Sequence, residues 1–221
     1  MNAKQAAAFK AVSYIEDGMV VGLGTGSTAY WAIHYVAERV AQGLKIVSVA
    51  TSEETARIAT EKGITISSLD SVDYIDIDID GADETDPHRN LIKGGGGALL
   101  REKIVAAASK RFIVIADESK MVDVLGKFSL PVEVLIFGWQ HTAKHLAKLK
   151  CEISLRKKND AVFVTDNGNY ILDCNFQTIP DPATLQQKIN AIPGVVENGL
   201  FVGAAERVII GYNDGSVKEF R

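Results

Sequence analysis

The feature that most constrains this fold is an alternation, through the first half of the chain, of short apolar runs with stretches of helical period. Residues 3–16 carry alanines, Phe9, Val12 and Ile15 at helical spacing and close on Asp17-Gly18, which predicts a helix. A short buried strand over 19–24 (MVVGLG) runs into a Gly/Ser/Thr turn and a helix from Ala29 to Val40. Strands over 45–50, 74–79 and 112–116, with helices over 53–62 and 98–109, continue the pattern. Strands separated by helices of this length imply a Rossmann-like α/β domain, a parallel sheet with helices on both faces. In such sheets ligands bind beyond the carboxyl ends of the strands. Three unusual loops, 24–28, 80–84 and 93–97, each follow a predicted strand, and they are expected to converge on one crevice.

After Phe128 the pattern changes. A strand over 132–137, a helix over 140–150 and two or three antiparallel strands over 151–173 are expected, with Asp166-Asn167-Gly168-Asn169 as a hairpin turn. A helix over 182–191 follows. The expected organisation is a Rossmann-like catalytic domain from residues 1–127 and 204–221, carrying an inserted α+β domain over 128–203.

Composition narrows the function classes. A formal net charge of -4 over 221 residues argues against a general nucleic-acid binder, which carries a basic face. Apolar runs are short and broken by Gly or Asp, so no membrane span is expected. MNAKQAAAFK lacks an apolar core of signal-peptide length. Cys151 and Cys174 form no CxxC pair, so neither a disulfide nor a zinc framework is expected, and a reducing cytoplasm is the simplest setting.

Gly24-Thr25-Gly26-Ser27-Thr28 joins a strand to a helix. Glycines let backbone approach an anion, hydroxyls donate to it, and the helix N-terminus adds amides and a positive dipole end, so a phosphate fits. A tight turn capped by Ser or Thr fits the same residues. No Lys follows Gly26 as a Walker loop requires, and the acid that a dinucleotide site needs about 20 residues on is missing. Asp76, Asp78 and Asp80 alternate with isoleucines; the first two read as one face of a strand near an edge or interface. A calcium loop is disfavoured because Pro87 stands where its twelfth-position Glu should be. Asp80 and Asp83 are expected past the strand end, as site residues or as turn-forming aspartates.

Lys93 precedes four consecutive glycines, Gly94 to Gly97. Ordering four glycines costs chain entropy, and close backbone approach to a ligand is the natural reason for it. Glu102 lies in the first turn of the next helix, where acids are common for dipole reasons alone. Its place beside the glycine loop is what singles it out. Lys120 also follows a strand end, as a solvated lysine or as a phosphate or hydroxyl contact. His141 and His145 are spaced i, i+4, but with no third ligand nearby a wet helix face is the expected reading.

Taken in order, GTGST (24–28), DGADE (80–84), KGGGGALLREK (93–103), ADESK (116–120), GKFSLPVEV (126–134), VTDNGNYILD (164–173) and NAIPGVVENGLF (190–201) resemble the type A ribose-5-phosphate isomerases along nearly the whole chain. The resemblance implies an aldose–ketose isomerase of the non-oxidative pentose phosphate pathway that interconverts ribose 5-phosphate and ribulose 5-phosphate. It implies that Thr25, Gly26, Ser27 and Thr28 bind the phosphate, with Lys4 as a basic neighbour. Asp80, Gly81, Ala82, Asp83, Lys93, Gly94, Gly95 and Gly96 would line the sugar site, Glu102 would be the proton-transferring base and Lys120 a further contact. It implies no metal and no cofactor, a small sugar phosphate as the partner, and a homodimer, in some members a tetramer. Gly97 departs from the alanine common there, and Asp76 and Asp78 make their strand more acidic than usual. Two other classes share parts of the pattern. A nucleotide-dependent oxidoreductase would leave the second glycine loop and Glu102 unexplained, and a sugar-phosphate sensor would bind without turnover.

Overall fold

The structure is a computed structural model that describes all residues, 1–221. Helix α1 (Ala3–Val12) starts at a capping box, in which the Asn2 side chain accepts the Gln5 amide and Gln5 returns a bond to the Asn2 amide. Strand β1 (Val20–Leu23) leads to α2 (Ala29–Ala41), and β2 (Val47–Ala50) leads to α3 (Glu53–Glu61), capped by Ser52. Then come β3 (Ile77–Gly81), β4 (Glu84–Thr85), β5 (Leu91–Ile92), α4 (Leu99–Ala107), β6 (Phe112–Asp117) and β7 (Leu130–Val134). Helix α5 (Trp139–Ala147) precedes β8 (Glu152–Leu155), β9 (Lys157–Lys158), β10 (Ala161–Val162) and β11 (Tyr170–Asn175). Helix α6 (Pro182–Asn190), capped by Asp181, is followed by β12 (Val195–Asn198), β13 (Leu200–Phe201), β14 (Arg207–Gly211) and β15 (Val217–Phe220).

The chain divides into two compact units. The first comprises Met1–Ala82, Arg101–Met121 and Gly203–Arg221 and holds a six-stranded sheet of order β15-β14-β6-β3-β1-β2. Every neighbouring pair runs parallel except β14 with β15. Its core is aliphatic: Val21, Leu23, Ile77, Ile79, Ile113, Ile115 and Ile209 of the strands against Ala7, Ala11, Ile33 and Val36 of the helices. The second unit comprises Asp83–Leu100 and Val122–Val202. It holds an antiparallel sheet of order β12-β7-β11-β8, a small sheet of order β13-β5-β4 and the hairpin of β9 with β10. Its core gathers Leu130, Val132, Val134, Leu146, Leu172 and Ile189.

This division differs from the one expected from the sequence in that 83–100 and 122–127 fall with the second unit. The reason is pairing: β5 bonds β13, so the glycine-loop segment is tied to residues 200–201. No helix is long and apolar enough to cross a membrane.

Two local readings change. Helix α1 stops at Val12, where the Ser13 hydroxyl turns back to bond the Lys10 carbonyl at 2.6 Å. Ile15 matched the helical period because it is a buried anchor of the following turn, only 1% exposed. Strand β3 is displaced toward its C-terminus, so Asp80 and Gly81 are its last residues and do not lie beyond it. It is also central, between β1 and β6, which corrects the placement of Asp78 near an edge. Asp78 and Asp80 are accommodated inside because Gly22 pairs with Asp78 and Gly24 follows two residues on. A Cβ on Gly22 would lie 2.5 Å from the Asp78 carboxylate, and one on Gly24 would lie 2.5 Å from the Asp80 Cα.

Candidate active site

In the first unit, β1 runs straight into the glycine loop. The Gly24 amide still donates to the Ile79 carbonyl at 3.0 Å, but the next amide, of Thr25, donates to the Asp80 carboxylate at 3.0 Å. The same Asp80 oxygen accepts the Gly81 amide at 2.6 Å. Asp80 therefore anchors the loop to β3, and it is fully buried. Gly26 has φ of +102°, a conformation that favours glycine. Gly26 and Ser27 are exposed, whereas Thr28 is buried at the N-terminus of α2 and makes no side-chain capping bond. The first turn of α2 thus carries no side-chain cap from Thr28, although the sequence allowed one. Lys4 of α1 donates from Nζ to the Ser27 hydroxyl at 2.9 Å. That places an ammonium against the loop from α1, 23 residues earlier in the chain.

Three hydroxyls cluster around that of Thr25. Its Oγ1 lies 2.7 Å from Thr51 Oγ1 and 3.2 Å from Thr55 Oγ1, and it donates to Ser52 Oγ at 2.8 Å. Thr51 and Thr55 in turn donate to the carbonyls of Leu23 and Gly24. The sequence reading missed this cluster. The signal was available, since Thr51-Ser52 follows β2 just as the glycine loop follows its parallel neighbour β1. Strand ends of adjacent parallel strands lie side by side, so polar residues after both belong together.

Glu102, in the first turn of α4, is 3% exposed. Its neighbour Arg101 turns outward to Glu53 at 3.7 Å. Lys120 ends a short 3-10 turn after β6 that is capped by the Asp117 carboxylate on the Ser119 amide, and it remains partly exposed.

The second unit holds the other set. Strand β5 pairs with β4 and β13, and the Lys93 amide continues toward the Gly199 carbonyl at 2.9 Å. Lys93 is 2% exposed, with Nζ 5.4 Å from the Phe201 ring centroid. Asp83 accepts the Gly95 amide at 2.7 Å, and the two residues touch so closely that a Cβ at 95 would lie 2.6 Å from that carboxylate. Gly94 and Gly97 have φ of +100° and +89°. At Gly97 the space of an alanine methyl is taken by Phe163, whose ring would lie 2.5 Å from it. Glu84, inside the DGADE segment, is not a surface acid: it is buried and accepts the amides of Gly126 and Phe128 at 2.7 and 2.5 Å. It organises the turn before β7.

The structure thus joins Thr25, Asp80 and Gly81 by hydrogen bonds, joins Lys4 to Ser27, and joins Asp83 to Gly95. Within the first unit, a buried carboxylate on a helix and a hydroxyl-rich loop at a helix N-terminus suit proton transfer on a small anion.

Residues 47–215 match the sequence profile of the family described as Ribose 5-phosphate isomerase A (phosphoriboisomerase A). Among curated proteins, Ribose-5-phosphate isomerase A 1 of Oceanobacillus iheyensis is 52% identical over 212 residues, 96% of this chain and 95% of the relative. Ribose-5-phosphate isomerase A of Gloeobacter violaceus is 55% identical over 214 residues, 96% of this chain and 93% of the relative. Among solved structures, a D-ribose-5-phosphate isomerase in complex with phospho-erythronic acid superposes with a TM-score of 0.95 at 44% identity, covering 99% of each chain. The ribose 5-phosphate isomerase of Plasmodium falciparum gives 0.95 at 39% identity over 98% of this chain and 96% of that one.

Proposed function

The chain belongs to the ribose 5-phosphate isomerase A family and interconverts ribose 5-phosphate and ribulose 5-phosphate; from that premise we propose that Glu102 is the base that carries the proton between the two carbons. The observation behind this assignment is a carboxylate 3% exposed on the first turn of α4, one helical turn past the glycine loop. Glu102 takes the proton from C2 of the open-chain aldose, leaving an enediolate, and returns it to C1. The hydroxyl proton moves from O2 to O1, so the sugar is isomerised with no net change in composition.

Charge that develops on O1 and O2 requires donors. Lys93 and the amides of Gly94 and Gly96 are proposed for that role, with the Gly95 amide holding Asp83; loss of one oxyanion donor costs about 3–4 kcal/mol in other enzymes. Asp80, Gly81, Ala82 and Asp83 hold the sugar hydroxyls, and the two aspartates assist ring opening. Thr25, Gly26, Ser27 and Thr28 take the phosphate, with Lys4 supplying charge and Lys120 a further contact. Two residues, Gly81 and Ala82, separate Asp80 from Asp83, and Ala98 alone separates the glycine loop from α4. The enzyme is proposed to work without metal or cofactor, as a homodimer in the cytoplasm.

The test is turnover of ribose 5-phosphate in EDTA, wild type beside Glu102→Gln. Wild-type turnover should persist, and the variant should lose about 10²–10⁴-fold in kcat while still binding substrate. A variant that keeps its turnover removes Glu102 as the base.

A further inference from the structure

One guanidinium holds two carbonyls of the glycine loop. Arg156, immediately after β8, donates from Nη1 to the Gly94 carbonyl at 2.7 Å and to the Gly95 carbonyl at 3.2 Å. Its other edge pairs with Asp173 of β11: Nε donates to Oδ2 at 3.0 Å and Nη2 to Oδ1. The two side chains are 13% and 21% exposed, so the pair is largely shielded from water. This fork-to-fork geometry fixes the guanidinium plane and not merely its charge.

Glycines have no side chains to hold their peptide planes, and each adopts either sign of φ readily. In a trans peptide the N–H points opposite to the preceding C=O. A carbonyl turned toward Arg156 therefore turns the next amide away from it. The Gly95 amide obeys this rule and is found on Asp83 at 2.7 Å. Held in the same way, the Gly95 carbonyl directs the Gly96 amide away from Arg156. The hairpin that follows Arg156 brackets the loop as well: the Phe163 amide donates to the Arg156 carbonyl, and its ring fills the space beside Gly97.

We infer that Arg156 is a positioning residue for the isomerisation, setting the peptide planes of the glycine loop so that the Gly95 amide stays on Asp83 and the Gly96 amide faces the reacting oxygens. The inference rests on the reading above, in which this loop lines the sugar site. Arg156 itself touches no substrate atom in this scheme; it acts through the two carbonyls it holds.

The experiment compares wild type, Arg156→Gln and Arg156→Lys in ribose 5-phosphate turnover and in binding of phospho-erythronate, whose planar carboxylate resembles the enediolate. Arg156→Gln should lower kcat roughly 10–100-fold, less than the about 10²–10³-fold for outright loss of an oxyanion donor because the amide is displaced and not removed. KM should stay within about threefold, because the phosphate loop is untouched, and phospho-erythronate affinity should fall with kcat. Arg156→Lys keeps a cation on Asp173 but cannot also span two carbonyls, so its kcat should fall by about tenfold with the same split. An unchanged kcat, a rise in KM alone, or unchanged phospho-erythronate affinity would overturn the role. If the glutamine variant does not fold, a lysine variant with wild-type kcat overturns it equally. Glu102→Gln is run alongside. If that variant stays active, the site reading falls; if it is inactive while Arg156→Gln is fully active, only the role of Arg156 falls.

Discussion

Gly24→Ala tests how tightly β1 and β3 are matched around Asp80. A methyl at this position would lie 2.5 Å from the Asp80 Cα, against 3.4–4 Å for ordinary contact, and closer still to the Asp80 carboxylate. The obstacle is backbone as well as side chain, so rotating Asp80 cannot relieve it. The two strand ends must separate by about 1 Å, and overpacking of that kind costs about 1–3 kcal/mol. At about 2–4 °C per kcal/mol for a protein of this size, Tm should drop by roughly 2–12 °C. Activity should suffer more than stability. The displaced carboxylate loses its bonds from the Thr25 and Gly81 amides, which moves the loops at 25–28 and 81–82, proposed for phosphate and sugar, together. A misplacement of about 1 Å costs about 10²-fold in rate. The assay is thermal unfolding beside kcat/KM for ribose 5-phosphate, with Gly22→Ala as the comparison. There the methyl meets the Asp78 carboxylate at 2.5 Å, one strand position-pair earlier and away from the loop. Gly22→Ala should lose similar Tm but markedly less activity. A Gly24→Ala enzyme within threefold of wild-type kcat/KM would refute the reasoning. So would a Gly22→Ala enzyme as inactive as Gly24→Ala at the same Tm, since general loosening would then explain both.

Ser27→Ala removes the acceptor of the Lys4 ammonium and the hydroxyl proposed to bind phosphate, and should raise KM about tenfold with kcat little changed in steady-state assays; a loss confined to kcat would contradict its proposed phosphate role. Thr51→Val deletes one hydroxyl of the cluster behind Thr25 while keeping its volume, and should raise KM several-fold with a Tm loss worth about 1–2 kcal/mol, read by kinetics and thermal melts. Glu219→Gln concerns the network that ties α1 to β14 and β15. Burial opposes ionisation of Glu219, but hydrogen bonds from Tyr14, Arg207 and Lys10 outweigh it and hold the carboxyl below its ordinary 4.5. With the folded value depressed, the unfolded chain binds more protons in this window, so the stabilisation is full above about pH 5 and is lost as pH falls below 4.5 through the folded value. Thermal melts from pH 7 to 3 should show wild type losing its advantage over Glu219→Gln across that acid limb, and an advantage that stays constant with pH would sink the assignment.

Much of this protein was legible from local pattern. Period 3.6 and period 2 are short-range properties of a chain, so α2, α3, α4, β6 and α6 stand close to where their residues implied. Glycines and hydroxyls after apolar runs marked the loops, because the tight turns and close backbone approaches they permit are dictated by residue type. Glu102 and the glycine loops were candidates on those grounds and on the order of their motifs, whereas Lys4 was one only through the family resemblance.

What lay beyond reach of the sequence are contacts made across long separations. Asp80 read as a loop residue, because nothing local says that Gly22 and Gly24 clear space for two carboxylates inside the sheet. Glu84 read as part of an acidic segment, yet its partners are amides 42 and 44 residues away. The hydroxyl cluster around Thr25 draws on Thr51, Ser52 and Thr55, and the clamp on the glycine loop comes from an arginine 62 residues downstream. Periodicity determines which face of an element is buried, but not which distant polar group that face will meet. That choice is made only when strands pair in register and each buried polar group must find a partner within hydrogen-bond reach.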